Sequence, residues 1–421
     1  VTRELWIEYF LPMHALKQWF EKPGSVWLFV VAVYVTLFMT VYRHHEVNDV
    51  ESSTQKIIVE FSESSFPPKI ELIRNLPDWG HLGYYAIVGR VAHYIHADEM
   101  RLRIVSLTFM LLAFGAFVLL AKFYCYSSRL NPIWISLALL IFAANPYAVS
   151  GAMEIGYTGF FLFLLLSSLY FFEKEDYRWT PFFLSLAVLT DWRALVLAVV
   201  FVIVRLTASH SRLIRPERGL ALILPFVIGV LPIVAWNSVV PYGEARDWWR
   251  LMKEHSSFVH PDGLFYSFAL IPIYTLFYSW NWGTRARVRA LKRGAIGTLI
   301  LVPLYFLFPV HFDKWSVLKF NAEVPLGLID TWAIHLGGEY KNLLLFLPWL
   351  AGTFLFFQLL FRDVMDQSKP VWYIVILFFF IQPFVSGMGG VTGDKAFLIV
   401  APFLLLFTLS EVLVGDEGKL F

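Results

Sequence analysis

The chain is poor in charge and has a single cysteine. Asp, Glu, Lys and Arg make up 16% of its 421 residues, against about a quarter in soluble domains. That deficit argues against a soluble globular architecture. Cys125 alone excludes an intrachain disulfide, and the redox compartment is not legible from it. The net charge is only +2 and forms no basic stripe, so nucleic acid is not an expected partner. Internal repeats are missing, which sets aside solenoids and arrays. No low-complexity tract and no separate soluble domain is visible. Residues 1–25 read as an amphipathic cytoplasmic segment. The apolar segment after them has no small-residue cleavage site, so a cleavable signal peptide is not expected.

What the chain has in abundance is apolar surface. Hydrophobic residues reach 58%, aromatics 18% with 41 Phe and 16 Trp, and mean hydropathy is +0.62. This composition predicts an integral, all-α membrane protein, because a backbone in lipid satisfies its polar groups internally as helix. About twelve apolar runs approach bilayer-spanning length. They fall near 26–42, 103–124, 132–148, 155–172, 179–190, 193–207, 219–237, 262–281, 294–310, 342–361, 371–387 and 395–413. The pair at 179–207 is short and split by Asp191 and Arg193, and it also reads as one broken element.

Basic residues cluster in alternate loops: Lys122 with Arg129, Lys174 with Arg178, Arg212 with Arg215 and Arg218, Arg285 through Arg293, and Arg362 with Lys369. The positive-inside rule makes these loops cytoplasmic, and both termini with them, including a tail at 414–421. The transmembrane domain then covers 26–413. Its outer loops are 43–102, 238–261 and 311–341. Within the first of them, Leu82, Tyr85, Ile87, Val88, Val91, Tyr94 and Ile95 recur at helical spacing. They predict short amphipathic helices along the outer membrane face.

Several ionisable residues collect on that outer side. Glu154 interrupts "NPYAVSGAMEIGY" between two apolar runs. Glu46, Asp49 and Glu51 follow the first run in "HHEVNDVES". His81 lies in "DWGHLGYY", Asp191 and Arg193 in "LTDWRAL", and Lys395 in "VTGDKAFLIV". Ionisable groups at a span are costly and usually face a cavity or a partner. Each also has a plainer reading: solvated loop residues for the first-loop acids, an ion pair across a broken helix for Asp191 and Arg193, an interfacial histidine for His81 and a snorkelling lysine for Lys395. The tryptophans Trp79, Trp192, Trp248, Trp249 and Trp315 read as interfacial belt residues, with sugar stacking as the alternative for one or two.

These stretches resemble the membrane-embedded GT-C glycosyltransferases, in particular the protein-mannosyltransferase-like and aminoarabinose-transferase-like enzymes. The resemblance is carried by "HHEVNDVES", "DWGHLGYYAIVGRVAHYIHADEMRLRIVS" and "NPYAVSGAMEIGYTGFFLF" over residues 40–200, and by "GDKAFLIVAPFLLL" near the end. It implies a polyprenyl-phosphate-linked sugar donor and transfer to a glycan, lipid or protein acceptor on the extracytoplasmic face of a bacterial inner membrane. It further implies Glu46 or Asp49 as general base, and Glu154 with Asp49 as ligands of a divalent metal such as Mg²⁺ or Mn²⁺. His81, Asp191, Arg193 and Lys395 would contact substrate. The chain departs from the family in two places. It lacks the usual Asp-Glu pair in the first loop, and it carries a lysine where relatives have an arginine before the last span. A transporter or flippase of a lipid-linked saccharide, or a noncatalytic subunit of a glycan-assembling complex, are the alternative expectations.

Overall fold

The computed structural model describes residues 18–41, 49–64, 72–73, 81–95, 98–126, 132–208, 222–229, 261–275, 294–303, 340–360, 373–377 and 393–412, with a few isolated positions between them. The chain divides into two compact units, Val1–Val240 and Pro241–Phe421. Among the described residues every regular element is a helix, as the composition predicts.

The first unit contains α1 (Pro23–Val41), α2 (Asp49–Glu63), α3 (Leu82–Ile95), α4 (Glu99–Tyr126), α5 (Ile133–Ala143), α6 (Pro146–Met153), α7 (Thr158–Glu173), α8 (Trp179–Thr190), a 3₁₀ turn (Trp192–Ala194) and α9 (Leu195–Ala208). The residues at helical spacing in the loop after the first run, Leu82 to Ile95, form α3; α2 is not expected from that pattern. Helix α4 is the spine of this unit, with α1, α5, α6 and α7 packed along it. Its contact with α7 is close: a Cβ on Gly159 would lie 2.9 Å from the Met110 backbone nitrogen, so no larger side chain fits there. Polar ties fasten α1 to its neighbours, with the Trp27 indole donating to the Leu111 carbonyl at 3.3 Å.

Two helices, Pro23–Val41 and Glu99–Tyr124, are long and apolar enough to cross a membrane, and α5 with α6 makes a third if the bent pair is one span. Other apolar helices among the described residues, such as α7, α8 and 294–303, run 10–17 residues.

One predicted run is broken and one expected break is present, each for a readable reason. The run at 132–148 is not one helix. It bends by 63° between α5 and α6, and the second piece reaches Met153. Asn145 precedes a proline and is therefore pushed out of the helical region; its ψ is 123°. Its side chain accepts from the Tyr147 amide at 2.8 Å, and Pro146 occupies the first position of α6, a strong helix-start combination. The interruption frees the Ala143 carbonyl, which accepts from the Tyr34 hydroxyl at 2.6 Å. The run at 179–207 breaks at Asp191, which is extended (φ −158°, ψ 123°). Its Oδ1 accepts from the Arg193 amide at 2.9 Å and starts the 3₁₀ turn.

The second unit contains α10 (Pro261–Thr275), α11 (Lys341–Leu360) and α12 (Gly393–Val412), with Pro272, Pro348 and Pro402 in their interiors. Gly352 of α11 lies directly against the Phe268 carbonyl of α10. Phe268 packs edge-on to Phe356 at 5.2 Å, and Tyr274 meets Phe397 of α12 at 5.4 Å.

Candidate functional site

The site grows out of the four residues that separate α6 from α7, Glu154 to Tyr157. Glu154 ends α6 in an extended conformation. Its amide still donates to the Ser150 carbonyl at 2.9 Å, and its Oε1 accepts from the Ser150 hydroxyl at 2.6 Å. The carboxylate is half-buried at the end of an apolar helix. The next two amides are clamped from elsewhere. Ile155 N–H donates to Glu51 Oε1 at 2.9 Å, and Gly156 N–H donates to Ser106 Oγ of α4 at 3.3 Å.

Among the described residues Glu51, in α2, is thus a carboxylate from the stretch after α1 that reaches the Glu154 loop. It is 2% exposed, and its Oε2 accepts from Arg103 Nη2 at 3.2 Å. Arg103 is 1% exposed and also pairs with Glu99, one turn earlier on α4, at 3.1 Å. One guanidinium with two carboxylates keeps the desolvated charges paired, which a buried ion requires.

Tyr157 opens onto a second arrangement. Helix α3 presses on α8 so closely that a Cβ on Gly83 would sit 2.8 Å from Thr190 Oγ1 and 3.0 Å from the Leu186 carbonyl. That approach carries His81, just before α3, to the end of α8. His81 Nδ1–H donates to the Thr190 carbonyl, at 2.8 Å, the acceptor freed by the break at Asp191. The bond assigns the proton of the neutral ring to Nδ1 and makes Nε2 the acceptor. The imidazole stacks on Tyr157, with centroids 3.7 Å apart and planes at 25°. The Tyr157 hydroxyl accepts from Arg193 Nη2 at 3.3 Å. Arg193 pairs with Asp191 through Nε, at 2.9 and 2.8 Å from the two carboxylate oxygens, and through Nη2. Both residues are buried, and the guanidinium also stands 5.8 Å over the Phe161 ring. Since Thr190 and Asp191 are adjacent, His81, Tyr157, Arg193 and Asp191 form a closed circuit joining α3, α7 and the α8–α9 break. Tyr84 underlies it, edge-on to Tyr157 at 6.5 Å. Burial pushes its phenol well above the ordinary value, so it stays neutral.

The structure therefore brings His81, Asp191 and Arg193 together and puts Glu154 three positions from the tyrosine that joins them. Asp49 occupies the first turn of α2, and its side chain lies outside the described residues, as does all of Glu46. Lys395 lies in the first turn of α12, in the other unit, and its side chain too is outside them. Sequence reasoning assigned no role to Tyr157 or Arg103, and weighed Glu51 between a solvated loop acid and one of the acids gathered at the pocket without giving it a role. Arg103 carried one usable signal, its position four residues after Glu99 on a helix. Tyr157 carried none.

A divalent metal needs several hard oxygen ligands around one point. Among the described residues no three His, Cys, Asp or Glu side chains lie together, and Glu154 has the Ser150 hydroxyl beside it. The metal expectation thus rests on Asp49, whose side chain is outside the described residues.

Searches of family models, of curated proteins and of solved structures each returned no match to this chain.

Proposed function

We propose that the chain is a polytopic membrane glycosyltransferase of the GT-C kind, with about twelve spans. It moves a sugar from a polyprenyl-phosphate donor to an acceptor on the extracytoplasmic face. The observation that carries this reading is the circuit of His81, Tyr157, Arg193 and Asp191 beside the Glu154 loop. Sugar transfer requires a group that accepts the proton of the attacking hydroxyl. It also requires positive charge or hydrogen-bond donors where the leaving phosphate gains negative charge. A held guanidinium, Arg193, meets the second demand in kind.

In this reading Glu46 or Asp49 takes the acceptor proton, and Glu154 orients the acceptor hydroxyl or holds a metal. His81, Arg193 and Lys395 contact phosphate or sugar. Asp191 keeps Arg193 oriented. A bound Mg²⁺ or Mn²⁺ would neutralise the departing phosphate.

The test uses the purified full chain with polyprenyl-phosphate sugars. Glu154→Gln should lower transfer by about a hundredfold, the effect of misplacing a reacting group by about an ångström, while the thermal unfolding midpoint in detergent stays that of the wild type. Transfer at the wild-type rate by that variant would reject the role of Glu154.

A second reading has an observation of its own. The interruptions at Asn145 and Asp191 leave short helix pieces facing polar groups, and discontinuous helices mark the binding sites of many transporters. A lipid-linked saccharide that crosses a proteoliposome membrane without being cleaved would favour this alternative.

A further inference from the structure

Away from the Glu154 loop, the first unit contains a cavity of about 490 Å³ between α1, α4, α7 and α8. This is the size of a small-molecule site. Its walls are almost entirely apolar: Trp27 from α1, Gly115 and Leu119 from α4, Tyr170 from α7 and Phe183 from α8. Gly115 contributes to the hollow, since even a Cβ there would only just touch the Trp27 indole, at 3.7 Å. Leu119 is half exposed, so the cavity reaches the outside of the helix bundle rather than lying sealed within it.

One lining residue is charged. Lys122 stands exposed at the same edge, three positions after Leu119 on α4, and among the described residues it makes no ion pair. A second cation is close by: Lys174 Nζ lies 5.6 Å over the Tyr170 ring and 5.7 Å over Phe123. Both lysines belong to the ends of helices whose loops carry the chain's basic residues. An apolar crevice with one lysine in its lining and a second over one of its lining rings, at the basic end of a bundle, matches one ligand chemistry: acyl chain inside, phosphate at the rim.

We infer that this crevice binds an anionic phospholipid, with an acyl chain along Trp27, Gly115 and Phe183 and the headgroup phosphate at Lys122 and Lys174. The inference depends on the chain lying in a membrane and not on sugar transfer. The lipid would act as a wedge that fixes α1 against α4 and α7 at the end of the unit remote from the α6–α7 loop.

Native mass spectrometry of the full chain in detergent tests this, with phosphatidylglycerol and phosphatidylcholine added at equal concentration. The wild type should retain phosphatidylglycerol preferentially. Lys122→Gln should reduce that preference about fivefold, the effect of removing one lysine near an anionic headgroup. Leu119→Trp, at a half-exposed position where the added bulk need not disturb folding, should reduce retention of both lipids by filling the crevice. Equal retention of the two lipids by the wild type would overturn the proposal. So would a preference unchanged by Lys122→Gln, or retention unchanged by Leu119→Trp. Displacement of the lipid by inorganic phosphate alone would show a plain anion site and overturn the acyl-chain part. A dimer that forms through this face and takes up no lipid would assign the crevice to a second copy instead.

Discussion

Two buried arginines in the first unit hold carboxylates in different ways. Arg103 joins Glu51, 52 positions away, and Glu99, four positions earlier on α4, and it is almost wholly buried. Arg193 joins Asp191, two positions away, and spends its remaining reach on Tyr157, a residue that also bears the stacked His81. The first pair ties together segments that the chain does not otherwise hold near each other. The second is built within one turn, so its geometry is set locally and its Nη2 links outward to Tyr157. A long-range pair of this kind reads as an anchor, and a local pair with an outward link reads as a positioned cation.

If that distinction is right, Glu51→Leu produces the largest effect. It strands a buried guanidinium with one carboxylate and leaves the Ile155 amide without its acceptor. We expect a loss of about 3–5 kcal/mol, read as a fall in the unfolding midpoint in detergent. A midpoint shift under about 1 kcal/mol would mean the pair does not anchor the loop. Next comes Glu154→Gln, which should reverse the pattern: a loss of about 2.7 kcal/mol in transition-state stabilisation, the hundredfold drop in transfer given above, with an unchanged midpoint. Tyr157→Phe keeps the His81 stack but removes the acceptor of Arg193. It should cost about 1 kcal/mol in stability and alter transfer kinetics more than the melt. Equal effects on both would place Tyr157 with the anchor. The smallest effect belongs to a third pair, Arg205 with Glu175 at 3.5 Å, whose glutamate is mostly exposed. Glu175→Gln should change the midpoint by no more than about 0.5 kcal/mol, and less at high salt.

Legibility from the sequence followed sequence distance. The helix interruption at Asp191 was visible because an acid and an arginine two residues apart sit inside an apolar run. The amphipathic helix α3 was visible from its periodicity. The bend at Asn145 had its signal too, in the Asn-Pro dipeptide, although the apolar pattern ran straight across it and suggested one span. Glu154 stood out by isolation. In contrast, Glu51 looked like its acidic neighbours Glu46 and Asp49, and nothing local distinguishes a buried acid from a solvated one. Its burial depends on where α4 places Arg103. Tyr157 is one of 19 tyrosines, and its importance comes from what lies above and beside it.

Composition and periodicity determined that this chain is helical and apolar, that its basic residues cluster between certain apolar runs, and where several helices stop. Those properties are local: propensity, capping and the cost of breaking backbone hydrogen bonds act over one turn or less. Only the tertiary structure decided which acid is buried, which carbonyl His81 caps and that Lys122 lines an apolar crevice. Those outcomes depend on close approaches such as Gly83 to Thr190 and Gly159 to Met110. Such approaches arise from packing between helices far apart in the chain, which no local pattern encodes.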